Sequence, residues 1–502
     1  MQSKGPKLRV GIPLYGGVDW AKSGNVSGLI GFQNVLSDIL MALGAEVVPF
    51  YFHEAGRHWA RQGIYQRTLK GEHIFSMNRG ERLMYLPSYA QKYGLPYSEE
   101  WCRFIDELCA FYRRETLDAI HIIEWLPCGM AVWESALRSG VPIGFTPTEH
   151  GSVCQYAFML TNCGAACDGP GDGAKCGRCT HSIEPYPPSR SVNQPWYSRR
   201  HRAFHRLTQW APDRMEKALL SILSERCQHP GAAISEEVGM ARIESARSFL
   251  TDPRIAVAYQ TPHQHRLFER ATGRELPAPF ALTAPTLCRS PRFRGKTVGS
   301  GKPVNFLFAA RPSYDRGLWF LLEAWRQWKP SASEAVLHIY THPDGGWLGA
   351  AVREIWHSHG GVVLHYGRLE PAALAEIHRG IHFVVNPAVW EEPGSATVNE
   401  GQALGTPSIV PTRTGSCDFV VEGQNGHIYE FRNGDSLIAA LERATSQLDE
   451  WHNLSAGSLE TARQSQVLAL EHIRQWCSRL FPGCEIQTSL LSEESKGRVS
   501  LT

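Results

Sequence analysis

The sequence NPAVWEEPGSATVNE occupies residues 386–400. It follows an apolar run at residues 382–385 and leads into a helical pattern at residues 397–404. A buried strand that leads directly into a helix is typical of a parallel sheet covered by helices. Glu392 and Glu400 lie eight residues apart here, and small residues between them open the helix. Backbone N–H groups at such a helix start can bind phosphate, and a carboxylate on each side can bind sugar hydroxyls. The small residues are Gly394, Ser395, Ala396 and Thr397. A random pair of glutamates would instead be two solvated charges.

Apolar runs alternate with helical patterns along the whole chain, on both sides of this stretch. Continuous apolar strands separated by helices indicate parallel sheets with helices on both faces. We therefore predict an α/β fold of two doubly wound, Rossmann-like domains that face each other across a cleft, with a cysteine-rich insertion in the first domain. The other apolar runs lie at residues 8–12, 47–50, 119–122, 142–146, 255–259, 304–309, 336–340, 362–366 and 407–410.

Composition predicts where the domains divide. Residues 286–303 lack periodicity and are rich in glycine, proline and basic residues, as interdomain linkers are. The first domain is predicted at residues 1–285, with the cysteine-rich insertion at about residues 150–182. The second domain follows at residues 304–446. A C-terminal helix at residues 447–482 is expected to pack back on the first domain, and residues 483–502 are expected to form a disordered tail.

Charge and hydropathy exclude several classes of protein. The 51 basic and 49 acidic residues nearly balance, which argues against a dedicated nucleic-acid-binding protein. The chain contains no apolar run long enough for a transmembrane helix and no recognisable signal peptide. Its 13 cysteines then indicate thiols or metal ligands in a reducing compartment. We expect a cytoplasmic protein, with at most peripheral association with the inner face of the membrane.

Further candidate site residues follow other predicted strands. Arg311 and Arg316 lie in the loop after residues 304–309, where guanidinium groups can pair with a diphosphate. Two surface charges on a solvated loop fit this spacing equally well. In the first domain, Asn25 and Gly28 belong to a glycine-rich loop after the first strand, and they are candidates for donor contacts. His150 follows residues 142–146 and is a candidate for the active site.

Together, these motifs resemble the second domain of GT-B glycosyltransferases of family 4. That family carries Gly-Arg-x4-Lys-Gly, then Glu-x7-Glu, then Gly-x-Pro. Residues 310–317, 392–400 and 405–407 follow this order, and the resemblance covers residues 304–445 almost continuously. Two positions depart from the pattern: Ala310 stands for the family's glycine and Arg316 for its lysine.

The resemblance implies a retaining transferase that uses a nucleotide-diphospho-sugar donor. Glu392 would bind the donor sugar near its reacting carbon, and Glu400 would bind the ribose. Arg311 and Arg316 would neutralise the leaving diphosphate, and no catalytic metal is expected. The acceptor is not predicted beyond a glycan, a lipid-linked sugar or a small molecule, and no oligomeric state is predicted. A catalytically silent protein of the same fold, which binds a nucleotide sugar or a partner, is the alternative. The Glu-x7-Glu spacing argues against a third reading, a sugar-nucleotide epimerase.

Five cysteines lie close together after His150, in a stretch of small and polar residues that cannot form its own core. A bound metal would fold such a loop. A similar loop in some family 4 enzymes selects Cys154, Cys167, Cys176 and Cys179 as ligands and leaves Cys163 over. We predict a structural zinc site. An iron–sulfur cluster, reduced thiols or a disulfide are the alternatives.

Overall fold

The computed structural model describes a little over half of the chain, in segments that include both predicted sheets. The described residues are 8–15, 36, 37, 40, 41, 45–55, 65–69, 72–78, 87–95, 99–123, 129–154, 159, 167, 169–171, 173, 174, 176, 235–277, 301, 303–311, 315–341, 361–366 and 371–480. The predicted linker, apart from residues 301 and 303, and the predicted tail lie outside them.

The first domain is built on a sheet whose described strands run in the order β3–β4–β2–β1–β5–β6–β7. Neighbouring strands are parallel except for the pair β3 and β4. The strands are β1 Arg9–Tyr15, β2 Glu46–Ala55, β3 Tyr65–Leu69, β4 Glu72–Asn78, β5 Ala119–Ile122, β6 Ile143–Phe145 and β7 Ile255–Val257. The described helices of this domain are α1 Pro87–Lys92, α2 Glu99–Arg114, α3 Gly129–Ser139, α4 Glu236–Thr251 and α5 Pro262–Thr272.

The second domain is built on an all-parallel sheet whose described strands run in the order β10–β9–β8–β11–β12–β13. The strands are β8 Val304–Ala309, β9 Ala335–Thr341, β10 Val362–Tyr366, β11 Phe383–Val385, β12 Ser408–Pro411 and β13 Gly426–Tyr429. The described helices are α6 Leu318–Trp328, α7 Pro371–Arg379, α8 Ala396–Ala403, α9 Gly434–Ser446 and α10 Trp451–Leu480, with short 3-10 helices at Gly415–Phe419 and Leu448–Glu450.

Each domain has its own aromatic core beneath its sheet. In the first domain, the ring centroid of Phe50 lies 6.0 Å from that of Phe75 and 5.2 Å from that of Phe111. In the second, the rings of Phe306 and Phe383 stack at 5.8 Å. Two separate cores under two mostly parallel sheets confirm the predicted α/β fold with two Rossmann-like domains.

Strands β3 and β4 were not predicted from the sequence. Their sequences, YQRTL and EHIFSMN, mix polar and apolar residues and contain no continuous apolar run. They form the antiparallel margin of the first sheet, with β3 at its edge. An edge strand need not be apolar on both faces, so the pattern of a buried parallel strand does not detect it.

The long helix α10 contacts both domains. Near its start, Trp451 Nε1 donates to the carbonyl oxygen of His382, at 2.8 Å. Near its end, Trp476 Nε1 donates to the carbonyl oxygen of Ala256 in β7, at 2.9 Å. None of the described helices has the length and hydropathy needed to cross a membrane.

The tight contact between α10 and the first sheet predicts a stability effect at Gly144. A Cβ atom added there would lie 2.1 Å from Cζ2 of Trp476, which itself is fully buried. Gly144→Ala should therefore lower the free energy of unfolding by about 1–3 kcal/mol, the usual cost of overpacking a core. Thermal or denaturant unfolding measures this. Gly434→Ala is the control, because a Cβ there has no neighbour closer than 3.9 Å. Equal stability of the two variants would contradict the predicted contact.

Candidate active site

The candidate site lies where the strand order of the second sheet reverses. From β8 the chain proceeds through β9 and β10 on one side and through β11, β12 and β13 on the other. Ligands of such sheets bind at this reversal, outside the carboxyl ends of the strands. The loops that follow β8 and β11 carry Arg311, Arg316 and Glu392, so the topology brings these predicted residues to one place.

The two loops are in direct contact. Gly317, directly after Arg316, has a φ of 68°, and a Cβ atom there would lie 1.8 Å from the carbonyl oxygen of Pro387. Only glycine permits both this left-handed conformation and such a close approach. The N–H group of Val389 also donates to the carbonyl oxygen of Asp315, at 3.0 Å. The loop after β8, which carries Arg311 and Arg316 and is called the arginine loop, is therefore held against the loop that carries Glu392.

The Glu392 carboxylate is 1% exposed and has a partner on each oxygen. Arg316 Nη1 lies 3.0 Å from Oε2, while Ser416 Oγ donates to Oε1 at 3.3 Å and Asn386 Nδ2 also donates to Oε1. Burial raises the pKa of Glu392, and the charge of Arg316 and the two hydrogen bonds oppose that rise. A buried, oriented carboxylate is suited to stabilise positive charge that develops on a bound sugar.

Asn386 and Ser416 are site residues that the sequence did not single out. Ser416 Oγ also accepts the backbone N–H of Ser395 at 3.0 Å, at the start of α8. Tyr429 donates its hydroxyl to the carbonyl oxygen of Asn386, at 3.0 Å. Both residues lie within residues 304–445, which carry the family resemblance. Their hydrogen bond joins positions 30 residues apart and exists only in the folded domain.

Positive charge accumulates in the arginine loop. The guanidinium of Arg316 lies 5.7 Å from the ring centre of Trp390 and 3.3 Å from the Asp315 carboxylate. Arg311 is exposed as a residue, but partial loss of water around its guanidinium lowers its pKa, and the charge of Arg316 lowers the pKa further. Two cations that repel each other are stabilised by an anion bound between them.

The start of α8 is the third part of the candidate anion site. Ser395, its N-cap residue, makes no side-chain hydrogen bond to the helix, so the first-turn N–H groups are not capped by it. Thr397 donates its hydroxyl to the carbonyl oxygen of Ala309, at 2.9 Å, which ties α8 to the end of β8. Gly394 and Ala396 are half-buried beside these groups. An uncapped helix start can bind an anion, and the phosphate site here stays a prediction.

Glu400 lies one turn further along the same helix. It is half-buried, and loss of water around its carboxyl raises the pKa to about 7. A carboxyl whose pKa lies near neutrality can change its charge when a ligand binds.

His150 lies on the opposite side of the Glu392 loop, in the first domain. It is fully buried, with its ring centre 5.8 Å from that of Phe268 and 5.5 Å from that of Trp390. Nε2 donates to the carbonyl oxygen of Glu391 at 2.6 Å. Burial lowers the pKa of His150 to about 4, so the ring is neutral at pH 7. Its predicted catalytic role stays a prediction, and the contact seen here is with the backbone next to Glu392.

Some of the other predicted site residues lie outside the described part of the chain. Asn25, Gly28 and Cys179 are outside it, as is Cys163. Cys154 and Cys167 are described, and both pack against the core of the first domain; Cys176 is described as well. Within the described residues, no group of three or more His, Cys, Asp or Glu side chains is placed to hold a metal.

Comparison with known proteins agrees with this geometry. Residues 303–447 match the family described as glycosyl transferases group 1. No curated protein matches the chain by sequence.

Several solved structures share the fold along almost their whole length. A sucrose-phosphate synthase from Thermosynechococcus elongatus is 14% identical, covers 95% of this chain and 100% of its own, and has a TM-score of 0.59. The structure "Trehalose-6-phosphate from E. coli bound with UDP-2-fluoro glucose" is 10% identical, with 93% and 98% coverage and a TM-score of 0.53. Anabaena Alr3699/HepE in complex with UDP and glucose is 10% identical, with 94% and 100% coverage and a TM-score of 0.50.

The second domain therefore resembles the glycosyl transferases group 1, and the two Rossmann-like domains have the GT-B fold.

Proposed function

We propose that the protein is a retaining glycosyltransferase that uses a nucleotide-diphospho-sugar donor. Its second domain binds the donor between the arginine loop and α8, with Glu392 beside the reacting carbon of the sugar. The proposal rests mainly on the contact of Glu392 with Arg316, at 3.0 Å, at the point where the strand order of the second sheet reverses. In this proposal the diphosphate lies against Arg311, Arg316 and the start of α8, and Glu400 accepts hydrogen bonds from the ribose hydroxyls. The phosphate approaches α8 at Gly394, Ser395, Ala396 and Thr397.

Charge placement explains how these residues would speed the transfer. As the bond between the sugar carbon and the phosphate oxygen breaks, the diphosphate gains negative charge and the sugar carbon gains positive charge. Arg311, Arg316 and the helix N–H groups stabilise the negative charge on the diphosphate. Glu392 stabilises the positive charge on the sugar carbon. The acceptor oxygen bonds to the same carbon, and its proton passes to a phosphate oxygen. These cations make a catalytic metal unnecessary for neutralising the leaving group.

The donor is to be identified with a panel of UDP-glucose, GDP-mannose and ADP-glucose. UDP-glucose is the first probe because two structures of the same fold hold a UDP group. Release of the nucleoside diphosphate without added acceptor measures hydrolysis of the donor. A catalytically silent binder would bind a member of the panel and release none of it.

The cysteines remain a proposed structural zinc site, held by Cys154, Cys167, Cys176 and Cys179. The described part of the loop is fixed to α4, since Arg247 Nη2 donates to the carbonyl oxygen of Gly171 at 3.0 Å. Zinc with four thiolates has a net negative charge, so a buried cation nearby would fit it.

Arg242 of α4 is such a cation. It is only 4% exposed, and its Nη2 donates to the carbonyl oxygen of Val153, next to Cys154, at 3.2 Å. Its Nε and Nη1 have no hydrogen-bond partner within the described residues. A thiolate cluster would supply the missing negative charge, and the metal's contribution there would be to fold the loop.

Glu392→Gln tests the donor site. It keeps the shape of the side chain and removes the charge, so turnover should fall by a factor on the order of 10²–10³, as when one oriented electrostatic group is lost. The affinity for the free nucleoside diphosphate should change by no more than about threefold, because Glu392 acts on the sugar. Steady-state release of diphosphate measures the turnover, and isothermal titration measures the affinity. The control is Glu376→Gln, on the exposed face of α7. Normal turnover of Glu392→Gln would refute the assignment.

Donor binding should also depend on pH through Glu400. Its pKa of about 7 makes the carboxyl mostly neutral at pH 6 and mostly ionised at pH 8. Only the ionised form accepts hydrogen bonds from both ribose hydroxyls with full strength, so affinity should rise about tenfold from pH 6 to pH 8. The diphosphate of a nucleotide sugar does not titrate in this range. Titration calorimetry at both pH values measures the effect, and Glu400→Gln should abolish it. The same pH dependence in that variant would exclude Glu400 as the cause.

The zinc proposal predicts the result of Cys176→Ser. Purified without chelator, the native chain should contain about one zinc ion, and the variant should contain little. Residues 150–180 should become sensitive to protease in the variant, because the metal folds the loop. Cys102→Ser, on α2, is the control and should keep its zinc. Native protein with neither zinc nor iron, and with these thiols titratable while folded, would disprove the site.

A further inference from the structure

An ion cluster around a buried carboxylate joins the two domains one residue before Glu392. Its centre is the carboxylate of Glu391, which is 1% exposed. Arg270 Nη2 donates to Oε2 at 2.6 Å, and His263 Nε2 lies 3.4 Å from the same oxygen. Arg413 donates to the other oxygen, Oε1. His263 and Arg270 belong to α5 of the first domain and Arg413 to the second, so the domains share one carboxylate.

The cluster keeps Glu391 ionised. Burial by itself raises the pKa of this carboxyl, but the hydrogen bond with His263 and the charges of Arg270 and Arg413 outweigh it. The pKa therefore falls to about 2. A buried carboxylate separated from its cations is strongly unfavourable. The cluster thus favours the arrangement in which the two domains touch.

The first domain also holds the backbone on both sides of Glu392. His150 donates to the carbonyl oxygen of Glu391 at 2.6 Å, and Thr261 Oγ1 donates to that of Pro393 at 2.8 Å. The loop that carries the donor-site carboxylate therefore belongs to the second domain by sequence, while the first domain supplies part of its hydrogen bonding. Separation of the domains would break these bonds together with the ion cluster.

We propose that Glu391 is a positioning residue that makes the placement of Glu392 depend on contact between the domains. The inference rests on the proposed role of Glu392 at the donor sugar. One peptide unit separates the two carboxylates, so movement of the Glu391 side chain and its backbone also moves Glu392. Glu391 contacts neither donor nor acceptor in this proposal. The reactive geometry then forms only when the cleft is closed and water is excluded from the sugar carbon.

Asp418 provides a matched control for a purely structural role. It is also an acidic residue of the second domain that bonds to α5: it accepts from the N–H group of His263 at 2.6 Å and from Arg266 at 3.1 Å. Asp418→Asn therefore weakens the same interface without changing the residue next to Glu392. The two variants differ in whether they disturb the placement of the donor-site carboxylate.

The test compares Glu391→Gln with Asp418→Asn, using the donor that the panel identifies. We expect Glu391→Gln to lower kcat for diphosphate release by about tenfold or more, because a small misplacement of a reacting group has a large effect on rate. Its affinity for the free nucleoside diphosphate should stay within about threefold, since that interaction is not changed. Asp418→Asn should keep both quantities within about twofold. Unchanged kcat in Glu391→Gln, or equal losses in the two variants, would overturn the proposal.

Variants of Arg270 provide a second test in case Glu391→Gln does not fold. Arg270→Met removes the first-domain cation and should lower kcat, whereas Arg270→Lys keeps a charge and should restore most of it. Normal kcat in Arg270→Met would then overturn the proposal.

Glu392→Gln in the same series separates the two hypotheses. If it is inactive while Glu391→Gln is normal, only the positioning role is rejected. If Glu392→Gln is itself active, the proposed donor site is rejected.

Discussion

The site depends on one buried carboxylate, that of Glu391, which is shared between cations from both domains. Arg270 reaches it from α5, and Arg413 reaches it from the loop after β12. Because an isolated buried charge is unfavourable, these three side chains fix how the loop after β11 meets the first domain. The residues that surround Glu392 are arranged on that loop and beside it, so their geometry follows from this contact.

Two adjacent glutamates have opposite electrostatic environments. The pKa of Glu391 is lowered because cations and a hydrogen bond outweigh its burial, while the pKa of Glu392 is raised because burial outweighs a single arginine and two hydrogen bonds. Environments that push the pKa values of neighbouring groups apart are how a site assigns different tasks to the same residue type. One carboxylate here bonds to cations of both domains, and the other faces the donor in the proposed site.

The backbone supplies the remaining constraints. The reversal of strand order brings the loops after β8 and β11 together, and the close approach at Gly317 keeps them in contact. The helix α10 then connects the domains at a second place, where Trp476 bonds to the backbone of β7. Two attachments, one at the cleft and one on the first sheet, limit the ways in which the domains can move relative to each other.

The sequence by itself determined the two-domain α/β fold, the arginine loop and the Glu-x7-Glu spacing, because apolar periodicity and the spacing of residues along the chain are local properties. It did not reveal the polar margin strands β3 and β4. It also did not show that Glu391, paired with a cation 121 residues away, is the residue buried between the domains. Only the tertiary structure decided this, since nothing local distinguishes two neighbouring glutamates. Their roles differ because packing surrounds one of them with cations and leaves the other facing Arg316.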